Sequence, residues 1–162
     1  IQRRVTDVLA SMTQTPHTDA NRRTDGCSMP TYAVPLKALA HGFAQFGSDV
    51  GLSAERAKAT QRLREAVAAH PFMVAGTGRY DTTVMNNFET RAFIKMGAEG
   101  VMIAALPEQG LGFAIKTDDG ANRAAEVAMS ALLHHFGGES LCRMPEDHAV
   151  FVRTKTQALR NW

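Results

Sequence analysis

Cysteine is scarce in this chain of 162 residues, which contains only Cys27 and Cys142. Two thiols so far apart in sequence do not make the framework of a disulfide-rich secreted domain, so we expect a reducing, cytoplasmic location. The chain also lacks an excess of charge of either sign. It has 18 Lys and Arg and 16 Asp and Glu, which give a formal net charge of +2. That balance gives no electrostatic reason to expect nucleic acid as a partner. Long apolar runs are also absent, and none approaches the roughly 20 residues of a membrane span.

What is present is ordinary globular composition, with 44% hydrophobic and 21% charged residues, which excludes a disordered or fibrous chain. We expect one domain over residues 1–162. Residues 1–70 are predicted to be mainly helical, residues 71–137 to hold a glycine loop, a three-stranded meander and a helix, and residues 138–162 to form a tail. The chain begins with Ile1 rather than Met, from which we expect a cut, processed or partly expressed polypeptide.

Apolar spacing predicts three helices in the first part of the chain, near residues 5–12, 35–47 and 53–70. Ser53 is a favourable N-cap for the third of them, and His70-Pro71 should end it. The spacing places four apolar side chains of that helix inward, namely Ala59, Leu63, Ala66 and Val67.

Three strands follow in quick succession, over residues 91–96, 101–106 and 111–117, separated by turns that contain glycine. The middle strand is apolar throughout and should be buried on both faces. A helix over residues 121–136 is predicted next, with glycines directly after it. The order of elements indicates an α+β fold in which an antiparallel sheet is flanked by helices. The middle strand and the first two helices need apolar partners on both sides, and we expect the chain to supply only some of them. Self-association should cover the rest, either as a homodimer or through swapped elements.

The turn at residues 24–30 presents an acid, a thiol and a hydroxyl together, from Asp25, Cys27 and Ser28. It is a candidate site, and the alternative is a tight Asp-Gly turn around a small buried cysteine.

Two cationic residues stand beside glycines. Arg79 follows Gly-Thr-Gly, where backbone N–H groups and a guanidinium suit an anion, and the alternative is a plain turn. Lys95 lies at the end of the first strand, two residues before Gly97, and the alternative is a solvent-facing lysine at a strand edge. His134 and His135 are adjacent on a helix and do not share a face, so we expect no metal between them.

Four stretches occur in one order: residues 25–36 (DGCSMPTYAVPL), 75–79 (AGTGR), 95–101 (KMGAEGV) and 112–120 (GFAIKTDDG). Together they closely resemble the asparaginase II family of the Rhizobium etli type, over about residues 1–137. The resemblance implies a fold similar to the C-terminal part of serine β-lactamases and penicillin-binding proteins. In those proteins a strand carrying Lys-Thr-Gly is followed by two more strands and a terminal helix.

The activity implied by this resemblance is release of ammonia from the side-chain amide of L-asparagine through a Ser-Lys acyl-transfer mechanism. By the same resemblance, Lys95 matches the strand lysine that faces the catalytic serine. Asp25 matches the acid that helps to hold the substrate's amino group or the metal site, and Arg79 matches an arginine with an anion-facing or structural role. Cys27 matches a cysteine that binds zinc.

Two segments of the family are missing from these 162 residues: the Ser-x-x-Lys nucleophile and a Cys-Ser-Gly-Lys-His zinc segment. The nearest match, at Ser53, has Arg56 in the lysine position. We therefore expect a C-terminal half that is inactive alone and binds zinc weakly or not at all, because zinc needs three or four protein ligands. Two other functions stay open: a β-lactamase-like hydrolase of another amide, against which the Asp-Gly-Cys turn argues, and a non-enzymatic binding module.

Overall fold

The computed structural model describes residues 1–137, and the predicted tail of residues 138–162 lies outside the described residues. A helix and a short hairpin come first, followed by a run of helices, a meander and a last helix. In chain order the elements are α1 (Gln2–Thr13), β1 (Arg22–Thr24), β2 (Pro30–Tyr32), α2 (Leu36–Ser48), α3 (Ala54–Ala69), α4 (Pro71–Ala75), α5 (Tyr80–Phe88), a 3-10 turn (Glu89–Arg91), β3 (Phe93–Met96), β4 (Val101–Leu106), β5 (Leu111–Lys116) and α6 (Asn122–Phe136).

The strands form two small antiparallel sheets, a hairpin of β1 and β2 and a meander in the order β3-β4-β5. The predicted α+β class, with antiparallel strands flanked by helices, is confirmed. The likeness to the serine β-lactamase fold stays a prediction, as does the division into parts of one domain. Of the helices within residues 1–137, none is long and apolar enough to cross a membrane.

The meander is covered by helices on both faces, as the apolar middle strand predicts. Met102, Ala104 and Leu106 of β4 belong to a core cluster with side chains of α5 and α6, such as Met85 and Met129. Alternate residues of a strand point to opposite faces, so the intervening residues of β4 face the other side, where α2 packs on β4 and β5. This arrangement explains why the strand reads as one continuous apolar run. The expectation that this strand needs partners from a second copy is wrong, because the chain's own helices leave residues 102–106 at most 7% exposed.

Helix α2 lies unusually close to β5 because Gly112 has no side chain. A Cβ at Gly112 would lie 2.1 Å from the Ala40 carbonyl oxygen and 2.3 Å from the Ala44 backbone nitrogen. Since atoms that are not bonded to each other do not approach this closely, only glycine permits this packing of helix on strand. On the same face, the rings of Phe43 and Phe93 stack with centroids 5.9 Å apart.

Helix α3 turns a different face inward from the one that the apolar spacing predicts. Its start is confirmed, since Ser53 Oγ accepts a hydrogen bond from the Arg56 backbone N–H at 3.3 Å. Leu63, however, is 57% exposed, and Ala59 and Ala66 are exposed as well. Val67 alone of the four packs against the core, as predicted. Thr60 and Arg64, one helical turn apart, also lie inward, because both bind a carboxylate at the end of α2. The polar contact of α3 with α2 therefore determines which face of α3 is buried, and the few apolar residues of the helix do not.

That carboxylate belongs to Asp49, the C-cap of α2. Its Oδ1 accepts hydrogen bonds from Thr60 Oγ1 at 2.6 Å and Arg64 Nη1 at 2.8 Å, and its Oδ2 accepts from Arg64 Nη2 at 2.8 Å. The Arg64 guanidinium also donates to the Phe46 carbonyl. These hydrogen bonds from Arg64 are the main reason why the pKa of Asp49 lies below its ordinary value of 3.8.

Asp49→Asn should lower the free energy of unfolding at pH 7 by about 1–3 kcal/mol, because it leaves the half-buried Arg64 charge without its partner. Since the pKa of Asp49 is lowered in the folded state, the ionised carboxylate stabilises the fold fully above the ordinary pKa. That stabilisation is lost as the pH falls through the lowered value. In urea unfolding curves, the difference in free energy of unfolding between wild type and variant should therefore shrink as the pH is lowered from 7 to below the ordinary pKa of 3.8.

Asp19→Asn is the matched control, because Asp19 pairs with Arg22 at 3.0 Å and both side chains are at least half exposed. We expect it to change the free energy of unfolding by less than about 0.5 kcal/mol. Equal effects of the two substitutions at pH 7 would contradict the stabilising role of the α2–α3 pair.

Candidate active site

Lys95 lies near the end of β3, one of the two edge strands of the meander, and its ammonium group contacts two oxygen atoms. Its Nζ donates a hydrogen bond to the carbonyl oxygen of Met96 at 2.6 Å and lies 3.6 Å from Asp81 Oδ2. The Lys95 side chain is 43% exposed, whereas that of Asp81 is 1% exposed. The ammonium therefore sits between a buried carboxylate and solvent, which is neither a core position nor a freely solvated strand edge.

Asp81 is a residue of this site that sequence reasoning missed. It lies in the first turn of α5, where the helix dipole favours a negative charge. Its Oδ2 also accepts a hydrogen bond from the Met96 backbone N–H at 2.7 Å. An acid in the first turn of a helix is a sequence signal for that helix end, but nothing in the sequence marks this one as buried.

Arg79 approaches the same strand from the start of α5, where it is the N-cap residue. Its Nη2 lies 3.3 Å from the Met96 sulfur, and the residue is otherwise exposed. Arg79 and Lys95, two of the four predicted site residues, are thus brought together around Met96. The neighbouring Tyr80 is no candidate base at neutral pH, because burial raises the pKa of its hydroxyl group, which hydrogen-bonds Ser130 Oγ at 2.9 Å.

Asp25 and Cys27 lie in the loop between β1 and β2. Asp25 Oδ1 accepts hydrogen bonds from the backbone N–H groups of Cys27 at 2.8 Å and Met29 at 2.9 Å. Ser28 takes a left-handed conformation, with φ 62°. The turn that the sequence predicts is present, yet the expectation of a buried cysteine in it is wrong, because Cys27 is a free and exposed thiol.

The hairpin is attached to α1 rather than to the strand that carries Lys95. Thr6 Oγ1 of α1 lies 2.9 Å from the Tyr32 hydroxyl, and Gln2 Nε2 lies 3.6 Å from the Met29 sulfur. Within residues 1–137, no hydrogen bond or ion pair joins Asp25 or Cys27 to Lys95. The four predicted residues therefore form two groups, a cationic one at α5 and β3 and an acid–thiol turn at the hairpin.

The described residues do not form a zinc site by themselves. Zinc requires three or four protein ligands, and no group of three His, Cys, Asp or Glu side chains in residues 1–137 is arranged to hold a metal ion. Cys27 offers one thiol that solvent reaches, and any site that used it would need further ligands.

Comparison with known proteins gives one family for the whole chain. The model of the family described as L-asparaginase II matches residues 1–161, which include all four predicted site residues. No curated protein matches the chain significantly. Because the family match spans nearly every residue, the resemblance drawn from four short stretches is confirmed: this chain belongs to the L-asparaginase II family.

Proposed function

We propose that this chain supplies part of the active site of an enzyme that hydrolyses the side-chain amide of L-asparagine to aspartate and ammonia. The observation that carries the proposal is the family match over residues 1–161. The ammonium of Lys95 and the guanidinium of Arg79, which both contact Met96, support it, because amide hydrolysis needs positive charge where the attacked oxygen becomes negative.

In this proposal the nucleophile is a serine of a Ser-x-x-Lys segment, which residues 1–162 lack. Attack of that serine on the amide carbon forms an acyl-enzyme and releases ammonia, and water then releases aspartate. Lys95 stabilises the developing oxyanion or the serine alkoxide. Its contribution is larger in the transition state than in the ground state, because the negative charge develops only there.

Two residues are proposed to bind L-asparagine itself. Arg79 suits the substrate's α-carboxylate, because a guanidinium offers parallel N–H donors to both carboxylate oxygens. Asp25 suits the α-amino group. Its Oδ1 is engaged by the turn, whereas its Oδ2 has no hydrogen-bond partner among residues 1–137 and is available to an ammonium.

Zinc is proposed to need ligands beyond those of the described residues, with Cys27 as one of them. We expect the purified 162-residue chain to hold far less than one zinc ion, and Cys27→Ser to leave that content unchanged. In a protein that also carries the Cys-Ser-Gly-Lys-His segment, Cys27→Ser should lower the zinc content. Elemental analysis after dialysis measures both, with Cys142→Ser as the matched thiol control. Stoichiometric zinc in the chain that disappears with Cys27→Ser would contradict the expectation.

We further propose that the protein is a homodimer and that it is located in the cytoplasm. Val5, Val8 and Leu9 of α1 are 40–47% exposed and line an open groove of about 260 Å³ together with Arg4. Such an apolar surface suits a protein contact. The free, exposed thiol of Cys27 suits a reducing compartment.

A substrate panel tests the proposed activity on the enzyme that combines this chain with the Ser-x-x-Lys segment. The panel contains L-asparagine, L-glutamine, a β-lactam and an acetylated asparagine that lacks the free amino group. We expect L-asparagine to give the highest kcat/KM and the acetylated compound to lose most of its binding. Preferred hydrolysis of the β-lactam would instead favour a β-lactamase-like enzyme, and no hydrolysis of any compound would favour a binding module.

A further inference from the structure

Asp81 is bound to β3 on the outer edge of the sheet. Gly97 N–H donates to the Val101 carbonyl oxygen at 2.8 Å, inside the turn between β3 and β4. Since successive amides of a strand point to opposite edges, the Met96 N–H points outward, away from β4. There it donates to Asp81 Oδ2 at 2.7 Å. The carboxylate thus occupies the place of a neighbouring strand at this point of the edge.

A charged side chain is a costly way to satisfy one amide. Asp81 is 1% exposed, and its other oxygen, Oδ1, is buried without a hydrogen-bond partner among residues 1–137. An asparagine would accept the Met96 N–H without a buried charge. A buried carboxylate is favourable only where a cation compensates it. The cation within reach is Lys95, whose Nζ lies 3.6 Å from Asp81 Oδ2.

The two acceptors on Lys95 fix the direction of its ammonium group. An ammonium has three N–H donors, of which one is given to the Met96 carbonyl oxygen and one faces Asp81. The third N–H remains for a group that approaches from solvent, to which 43% of the side chain is exposed. Without the carboxylate, a flexible lysine stem would hold the charge in many positions.

We propose that Asp81 is a positioning residue, which holds the Lys95 ammonium at the end of β3 so that its third N–H meets the reacting oxygen. This inference rests on the proposed function, because it assigns Asp81 a task only where Lys95 acts in catalysis. A purely structural Asp81 would do no more than close the edge of β3 and favour the start of α5.

A double-mutant cycle on the active enzyme distinguishes these roles, with kcat and KM for L-asparagine as the readout. The variants are Asp81→Asn, Lys95→Met and the combination of both. We expect Asp81→Asn to lower kcat about tenfold or more with little change of KM, a coupling of the size measured between contacting residues. In the Lys95→Met background the same substitution should change kcat by less than about twofold.

Asp49→Asn is the matched control, because Asp49 is also a carboxylate bound to a cation but belongs to the α2–α3 contact. It should change kcat by less than about twofold in both backgrounds. Where Asp81→Asn does not fold, Asp81→Glu replaces it: the charge remains, but the longer side chain moves the ammonium, so kcat should still fall only while Lys95 is present.

Equal losses of kcat in both backgrounds would overturn the proposal and leave Asp81 a structural residue. So would an Asp81→Asn variant with unchanged kcat while Lys95→Met is impaired. If Lys95→Met itself keeps wild-type kcat, the assignment of Lys95 in the proposed function fails, and the role of Asp81 fails with it. Lys95→Met alone therefore tests the catalytic role of Lys95, and Asp81→Asn alone tests the positioning role of Asp81.

Discussion

Lys95→Met should lower kcat/KM for L-asparagine by at least ~100-fold in the active enzyme, the usual effect of removing one preorganised electrostatic contact to the transition state. Methionine keeps the length and the apolar stem of the side chain and deletes only the charge. The substitution also leaves Asp81 buried without its cation. Since Asp81 is 1% exposed, we expect the free energy of unfolding to fall by about 1–3 kcal/mol, so both proteins are assayed well below their unfolding midpoints.

Lys116→Met is the control that this chain offers for Lys95→Met. Lys116 also ends a strand, β5, and its Nζ donates to the carbonyl oxygen of the following residue, Thr117, at 2.5 Å. It differs in being exposed and in having no carboxylate partner within residues 1–137. We expect its kcat/KM to stay within about twofold of wild type. Equal activity of both variants would reduce Lys95 to a solvated lysine at a strand edge.

The purified 162-residue chain alone should release no ammonia from L-asparagine. Of the changes in activity that we predict, this complete loss relative to the active enzyme is the largest. It contains no Ser-x-x-Lys segment, and the serine nearest to that pattern is engaged elsewhere. Ser53 caps α3 and accepts the Arg56 backbone N–H, and Arg56 occupies the position where the pattern has its proton-accepting lysine. A hydroxyl without such a base is a weak nucleophile.

Ammonia release is measured with a coupled assay on the chain, on its Lys95→Met variant and on the active enzyme at equal concentrations. The chain and its variant should both match the buffer blank. Turnover that scales with the purified chain and disappears in Lys95→Met would mean that these 162 residues hold a nucleophile of their own.

The meander was predictable from sequence because several local signals agree. Turns with glycine separate β3, β4 and β5, and the continuous apolar run of β4 follows from helices on both of its faces. The predicted strands start or end within two residues of those observed, as for β3, which begins at Phe93 instead of residue 91. Helix α6 begins at Asn122, one residue after its predicted start.

Tertiary contacts explain what the sequence did not predict. Three of the four inward positions predicted for α3 are wrong, because Asp49 binds Thr60 and Arg64 and turns them inward. Such a contact has no signature in helical spacing. The three-residue strands β1 and β2 were missed because they are too short and too polar to show alternation. Asp81 stands in a polar stretch, where burial depends on the distant edge of β3.

The short stretches that resemble the family predicted two residues of the candidate site, Lys95 and Arg79, but not Asp81. Lys95 and Arg79 were chosen on their neighbouring glycines and the family resemblance, and the fold brings both to Met96. Asp81 has no such sequence signal, because it joins the site only through the packing of α5 along β3. Burial of the carboxylate is thus a property of the assembled fold rather than of any local pattern.

The most direct test of the account is the fate of the two nitrogens of L-asparagine in the active enzyme. L-asparagine carrying heavy nitrogen in the side-chain amide alone is incubated with wild type and with Lys95→Met, and the ammonia and aspartate are analysed by mass spectrometry. We expect wild type to release only heavy ammonia, with one aspartate formed for each ammonia, and Lys95→Met to release it at least ~100-fold more slowly. Release of the unlabelled α-nitrogen, or equal rates for the two proteins, would contradict an asparaginase whose active site includes Lys95.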